Sequence, residues 1–132
     1  MILLRHVLTS MPMYLLQVLC PPKGVVQKLG RIYNAFMWDK RGGLKGIRWR
    51  FWDRCYYPVD EGGLGFRSFA NMSRAFACKL WWKLRKRDSI WADFMHSKYV
   101  KGVHPMVVQV SRPPLSWRRL EKVREVAESK IR

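Results

Sequence analysis

The sequence predicts a mainly α-helical fold, a small multi-helix domain of about five helices, on three observations. Apolar residues recur at helical spacing over two long stretches. Prolines fall at the edges of those stretches rather than inside them. Only one short β-branched run, Val107 to Val110, competes with this pattern. At 132 residues the chain is one domain by length, able to bury roughly two thirds of the surface it exposes when unfolded. With 48% hydrophobic residues and seven Trp, enough apolar surface exists to offset the entropy of ordering.

Taken in order, positions 3, 4, 7, 8 and 11 are apolar and read as a helix that Pro12 ends or bends. Met13 to Leu19 continues apolar until Pro21 and Pro22, which stop it and open the next helix. There Val25, Leu29, Ile32 and Phe36 form one stripe, with Val26, Tyr33 and Met37 beside it, a face wide enough for packing. Gly30 lies within that helix at a cost of about 1 kcal/mol against Ala, tolerable for a close contact. These two helices make up residues 1–38.

Residues 39–67 are expected to hold a basic loop, a short helix and a glycine turn. Lys40 to Arg48 has four basic residues and three glycines in nine, the composition of a solvated loop. Trp49, Trp52 and Tyr56 are spaced as on one short helix, and Pro58 closes it. The stretch DEGGLGF, Asp60 to Phe66, has the glycines of a phosphate cradle, but lacks the strand before it and the lysine such a cradle uses. Its two acids would repel phosphate, so it reads as a tight reversal in which glycines take positive φ.

Residues 68–132 are expected to form three helices and a connector. Phe69, Met72, Phe76, Leu80 and Leu84 mark about five turns ending in the basic KLRKR, the favourable sign for a helix C-terminus. Asp88 or Ser89 can cap a helix carrying Ile90, Trp91, Phe94, Met95 and Tyr99. Lys101 to Pro114 is a Pro/Gly-rich connector. Ser116 is the expected cap of a last helix to Ile131, with Leu120, Val123 and Ala127 inward and Glu128 placed to pair with Arg124 and Arg132.

The net charge is +17, from 26 Lys and Arg against nine Asp and Glu. Such a field attracts polyanions, nucleic acid first and an anionic membrane surface second. The apolar N-terminal segment is interrupted by Arg5, His6, Pro12 and Gln17, short of the roughly 20 residues a span needs. Cys20, Cys55 and Cys78, odd in number and far apart, fit a reducing compartment without a disulfide framework. His6, His96 and His104 lack the paired spacing of a zinc site, so no metal or other cofactor is expected. Asp60 with Glu61 is the only adjacent acidic pair and reads as turn solvation, not general acid/base chemistry. A Cys55 and His96 nucleophile pair has nothing to fix its geometry, and is rejected.

Basic residues interleaved with aromatics are the better candidates, because cationic groups hold phosphates while exposed rings stack on unpaired bases. One cluster is Lys40, Arg41, Lys45, Arg48 and Arg50; the other is Lys83, Arg85, Lys86 and Arg87. A solvated face is the competing reading for both, and core packing is the reading for Trp81 and Trp91. Contacts of this kind are sequence-tolerant, since backbone charge carries no base information.

Trp49, Trp52-Asp53, Cys55, Pro58 and Glu61-Gly62-Gly63-Leu64-Gly65 together resemble the region behind the polymerase core of LINE-type, non-LTR retrotransposon reverse transcriptases. Upstream, Val7-Leu8, Ser10, Pro12, Tyr14, Pro22, Val25, Ile32, Phe36 and Trp38 extend the resemblance. Downstream it runs through Ala75-Phe76, Lys79, Trp81-Trp82, Arg85, Ser89 to Ala92, Phe94-Met95, Lys98-Tyr99, His104-Pro105, Ser116-Trp117, Leu120, Arg124 and Ile131. The resemblance implies an RNA-directed DNA polymerase family, a thumb and connection region, and an intracellular, nuclear setting. The family's polymerase uses palm aspartates, including an Asp-Asp pair, to hold two metal ions; this chain has no such pair and is expected to lie past the palm and before the zinc-binding segment. The expected function is therefore that of a non-catalytic fragment that binds RNA or DNA backbone, alone or with the rest of a reverse transcriptase. The alternatives are a decayed retroelement reading frame with no selected activity, or a basic structural RNA-binding protein.

Overall fold

The computed structural model describes residues 6–7, 10–19, 21–38 and 52–131, except the side chains of Trp52 and Asp53. Over these residues the protein is mainly helical, with six α-helices and no strand. They are α1 (Met13–Val18), α2 (Lys23–Trp38), α3 (Phe69–Lys86), α4 (Ile90–Met95), α5 (Leu115–Glu121) and α6 (Arg124–Ser129). The chain divides into two compact units, Met1–Met72 and Ser73–Arg132, the boundary falling within α3.

In the first unit α1 starts directly after Pro12, whose φ of −75° already suits a helix. Most of the expected helix before Pro12 lies outside the described residues. Only Leu16 of α1 is buried, while Met11, Tyr14, Leu15 and Val18 are exposed. On α2 the buried residues are Gly30 and Tyr33, flanked by half-buried Val26 and Met37. Of the stripe Val25, Leu29, Ile32 and Phe36, Leu29 is half-buried and the other three are largely exposed, so the burial falls on the flank of the expected face that holds Val26, Tyr33 and Met37. Tyr33 meets Phe69 edge-on, ring centroids 5.3 Å apart and planes at 61°, a favoured aromatic geometry. Burial raises the Tyr33 phenol above its ordinary pKa, because the charged form loses hydration.

The short helix expected around Trp52 is a 3-10 helix over Trp52–Tyr56, followed by a second over Val59–Glu61. Cys55 and Phe66 form a small core backed by Met37, Tyr56 and Leu64. Gly62 and Gly65 adopt φ of 78° and 67°, where a side chain is strained. Gly63 serves a different need: a Cβ there would stand 1.9 Å from the Tyr57 carbonyl oxygen.

The second unit is built on Trp81, Leu84, Met95, Val100, Val108, Trp117, Leu120 and Ala127, with Trp91 and Tyr99 packed against them. The core role read for Trp81 and Trp91 therefore holds. Ser89 caps α4 as expected, its hydroxyl accepting from the Ala92 amide at 3.3 Å. Beyond α4 the chain continues as a π-helical turn, His96–Val100, ended by Lys101 in the left-handed region. His96 Nε2 lies 2.7 Å from the Leu84 carbonyl and ties this turn to α3. Residues 101–114 are turns without a strand. The single last helix expected from Ser116 to Ile131 is two: α5 is preceded by Pro114 rather than capped by Ser116, and the helix breaks before Arg124, with Val123 at φ −115° and ψ −9°. The inward residues Leu120, Val123 and Ala127 are all buried, as their spacing implied.

Candidate nucleic-acid interface

The glycine turn is the feature that most resembles a phosphate site. Its amides are already engaged: Gly62 donates to Val59, Gly63 to Pro58, Gly65 to Tyr57, and both Leu64 and Phe66 to Cys55, at 2.9 to 3.3 Å. An anion cradle needs unpaired N–H groups converging outward. Here they point into the reversal itself, so the turn holds the chain and offers no donors.

Helix α3 has the opposite character. Over Phe69–Lys86 it contains Arg74, Lys79, Lys83, Arg85 and Lys86 and no acidic residue. Its apolar side, including Ala77, Trp81 and Leu84, is buried. That packing turns Lys79, Trp82, Lys83 and Lys86 to solvent, as a helix with a 3.6-residue period requires. The α3 N–H at Arg87 continues to the Lys83 carbonyl at 3.1 Å, and Arg87 takes φ 53°, the left-handed close common at helix ends.

The four basic residues expected at this helix end do not act alike. Lys83 is exposed, and Lys86 places Nζ 4.8 Å from the centre of the Trp82 ring. Arg85 turns back, its Nη2 3.0 Å from Glu128 Oε1. Arg87 Nε stands 3.7 Å from Asp93 Oδ1, both side chains well exposed, a spacing worth little in water. The second expected cluster, Lys40, Arg41, Lys45, Arg48 and Arg50, lies outside the described residues.

Glu128 is a residue whose part the spacing in sequence conceals. Its carboxylate accepts from the Trp81 indole at 2.9 Å while holding Arg85 rather than Arg124; Arg132, the other expected partner, lies outside the described residues. His104 Nε2 is 3.9 Å from the same carboxylate, an ion pair only when the imidazole is protonated. Trp117 repeats the motif, donating to Glu121 Oε1 at 3.0 Å. Arg119 is also turned inward, 4% exposed, with Nη2 donating to the Ser73 carbonyl at 3.0 Å. It is thereby a structural cation rather than a surface one.

Trp82 is the other residue the sequence reading passed over. It is 39% exposed, whereas Trp81 beside it is 1% exposed. The signal was present in the four-residue offset from Lys86, which puts ring and ammonium side by side on a helix.

Among the described residues, no group of three or more His, Cys, Asp or Glu is placed to hold a metal ion. None of their helices is long and apolar enough to cross a membrane. The arrangement is thus a mainly helical, strongly basic chain with a cationic helix face.

The chain is 30% identical over 101 residues to a ribonuclease H-like protein, by name, of Arabidopsis thaliana, a match spanning 76% of this chain and 16% of that protein. It is 25% identical over 120 residues to an uncharacterized mitochondrial protein of the same plant, spanning 89% of this chain and 78% of the other. The chain therefore corresponds to a small part of the longer relative. No protein-family model matches the chain, and no solved structure matches it significantly.

Proposed function

We propose that the chain is a non-catalytic, retroelement-derived piece, resembling the thumb and connection of a LINE-type reverse transcriptase, that binds nucleic-acid backbone through the basic face of α3. The observation that carries this reading is an 18-residue helix with five cations, no acid and its lysines turned outward. A relative named for ribonuclease H supports nucleic acid as the polyanion. Binding of this kind is electrostatic and sequence-tolerant. Filter binding to RNA, DNA and hybrid duplex across a salt series tests it. With one phosphate neutralised by each of the three outward lysines, affinity falls about fortyfold between 50 and 200 mM salt. The triple variant Lys79→Glu, Lys83→Glu, Lys86→Glu flattens that dependence. Salt-independent or absent binding refutes the proposal.

One observation favours a second reading, a decayed reading frame whose product lacks its partner surface. Tyr14 and Val18 of α1 are 78% and 80% exposed, with Met11 and Leu15 beside them, an apolar strip of the kind that promotes association. Aggregation on expression, relieved by supplying the remainder of a polymerase, supports that reading. A soluble monomer with salt-dependent binding opposes it.

A further inference from the structure

Trp82 sits where a basic helix has no structural use for an indole. The core is supplied by its neighbour Trp81, about 100° round α3 and 1% exposed, and Trp82 stands 39% exposed in a row of cations. Lys79, Lys83 and Lys86 are spaced three and four residues apart, and with Ala75 and Trp82 they share the exposed side of the helix. The rise of about 1.5 Å per residue spaces the three lysine backbones roughly 4.5–6 Å apart along the axis.

We propose that Trp82 is a stacking platform for an unpaired nucleobase of a single strand, with Lys79, Lys83 and Lys86 holding the flanking phosphates. The proposal rests on the reading of α3 as a backbone-binding face and adds to it the class of nucleic acid preferred. A duplex presents phosphates to the lysines but keeps its bases stacked inside, so it has nothing to offer the indole. A single strand offers both. Stacking is sequence-tolerant, because every base has a π face. Lys86 places Nζ over the Trp82 ring, 4.8 Å from its centre, a cation–π contact that the incoming base displaces, releasing the ammonium to a flanking phosphate. No acid on α3 opposes the strand, and the acids nearest in sequence are Asp88, just past the helix end, and Asp93, which faces Arg87.

The experiment uses the full chain and two probes of equal length, a thymidine oligonucleotide carrying one central 2-aminopurine and a blunt DNA duplex. On binding the single strand, stacking against Trp82 quenches the 2-aminopurine fluorescence. Trp82→Ala is expected to abolish the quench and weaken single-strand binding roughly five- to hundredfold, the equivalent of one base stack, while duplex affinity changes less than about twofold. Trp82→Phe retains a ring and restores most of both signals. Circular dichroism and thermal unfolding of both variants should match the parent, since the side chain removed is outside the core. Equal weakening of single strand and duplex by Trp82→Ala, or no weakening of either, overturns the platform and leaves backbone binding standing. Failure of the parent protein to bind either probe at low salt overturns backbone binding, and the platform with it.

Discussion

Replacing Glu128 with alanine removes a single carboxylate that two partners on α3 share. The first partner is the Trp81 indole N–H, 2.9 Å away in a side chain 1% exposed. Left without an acceptor and shielded from water, a buried donor costs about 1–3 kcal/mol. The second is Arg85, 3.0 Å away, where both side chains are partly screened at 29% and 25% exposure, so loss of the pair costs no more than about 1 kcal/mol. Together Glu128→Ala should destabilise the second unit by about 1–4 kcal/mol. For a unit of this size, each kcal/mol lowers the melting temperature by roughly 4–8 °C, so thermal unfolding followed by near-ultraviolet circular dichroism should show a fall of about 5–30 °C. Glu128→Gln keeps an acceptor for Trp81 while removing the charge, and should lose less than half as much. A double-mutant cycle with Trp81→Phe should return a coupling of about 1 kcal/mol or more. The reasoning is refuted if Glu128→Ala costs less than about 0.5 kcal/mol, or if the glutamine and alanine variants lose equally.

Two further expectations concern the first unit. Gly63→Ala sets a methyl against the Tyr57 carbonyl, backbone against backbone, and should cost about 3 kcal/mol or more, whereas Gly24→Ala, with open space around the new methyl, should gain up to about 1 kcal/mol; urea unfolding of the pair measures both. Tyr33 holds its proton more tightly folded than unfolded. Its contribution is therefore fully present below the ordinary tyrosine pKa of 10.0 and lost as pH rises through the higher folded value. Comparing urea midpoints from pH 9 upward, Tyr33→Phe should lose less stability than the parent over the alkaline range, and parallel losses would contradict the assignment.

The elements that periodicity made legible were those whose partners are local. Five turns of apolar spacing from Phe69 to Leu84 and a cap at Ser89 need only neighbouring residues to be read, and both stand in the structure. On α2 the spacing marked a broad apolar face, of which the flank with Tyr33 and the close-contact Gly30 is buried while Val25, Ile32 and Phe36 are exposed; hydropathy alone does not say which part of so wide a face finds a partner. The break between α5 and α6 left no mark either, since neither Lys122 nor Val123 is a helix breaker by composition; packing of Val123 and Leu120 into the core accompanies it. At the basic helix end, sequence counts four equal cations, whereas Glu128, 43 residues from Arg85 by number and adjacent in space, withdraws one of them. The lysines and Trp82 could have been placed outside from the buried phase of Trp81 and Leu84 alone.

The indole tethers have a thermodynamic corollary. Glu121 and Glu128 turn carboxylate oxygens toward tryptophan N–H groups, so part of an already scarce negative charge is anchored in the framework. The lysine row keeps its charge unneutralised, and under the proposed function a nucleic acid docking on it gives up small cations condensed on its phosphates, so that ion release, more than the heat of contact, drives the attraction.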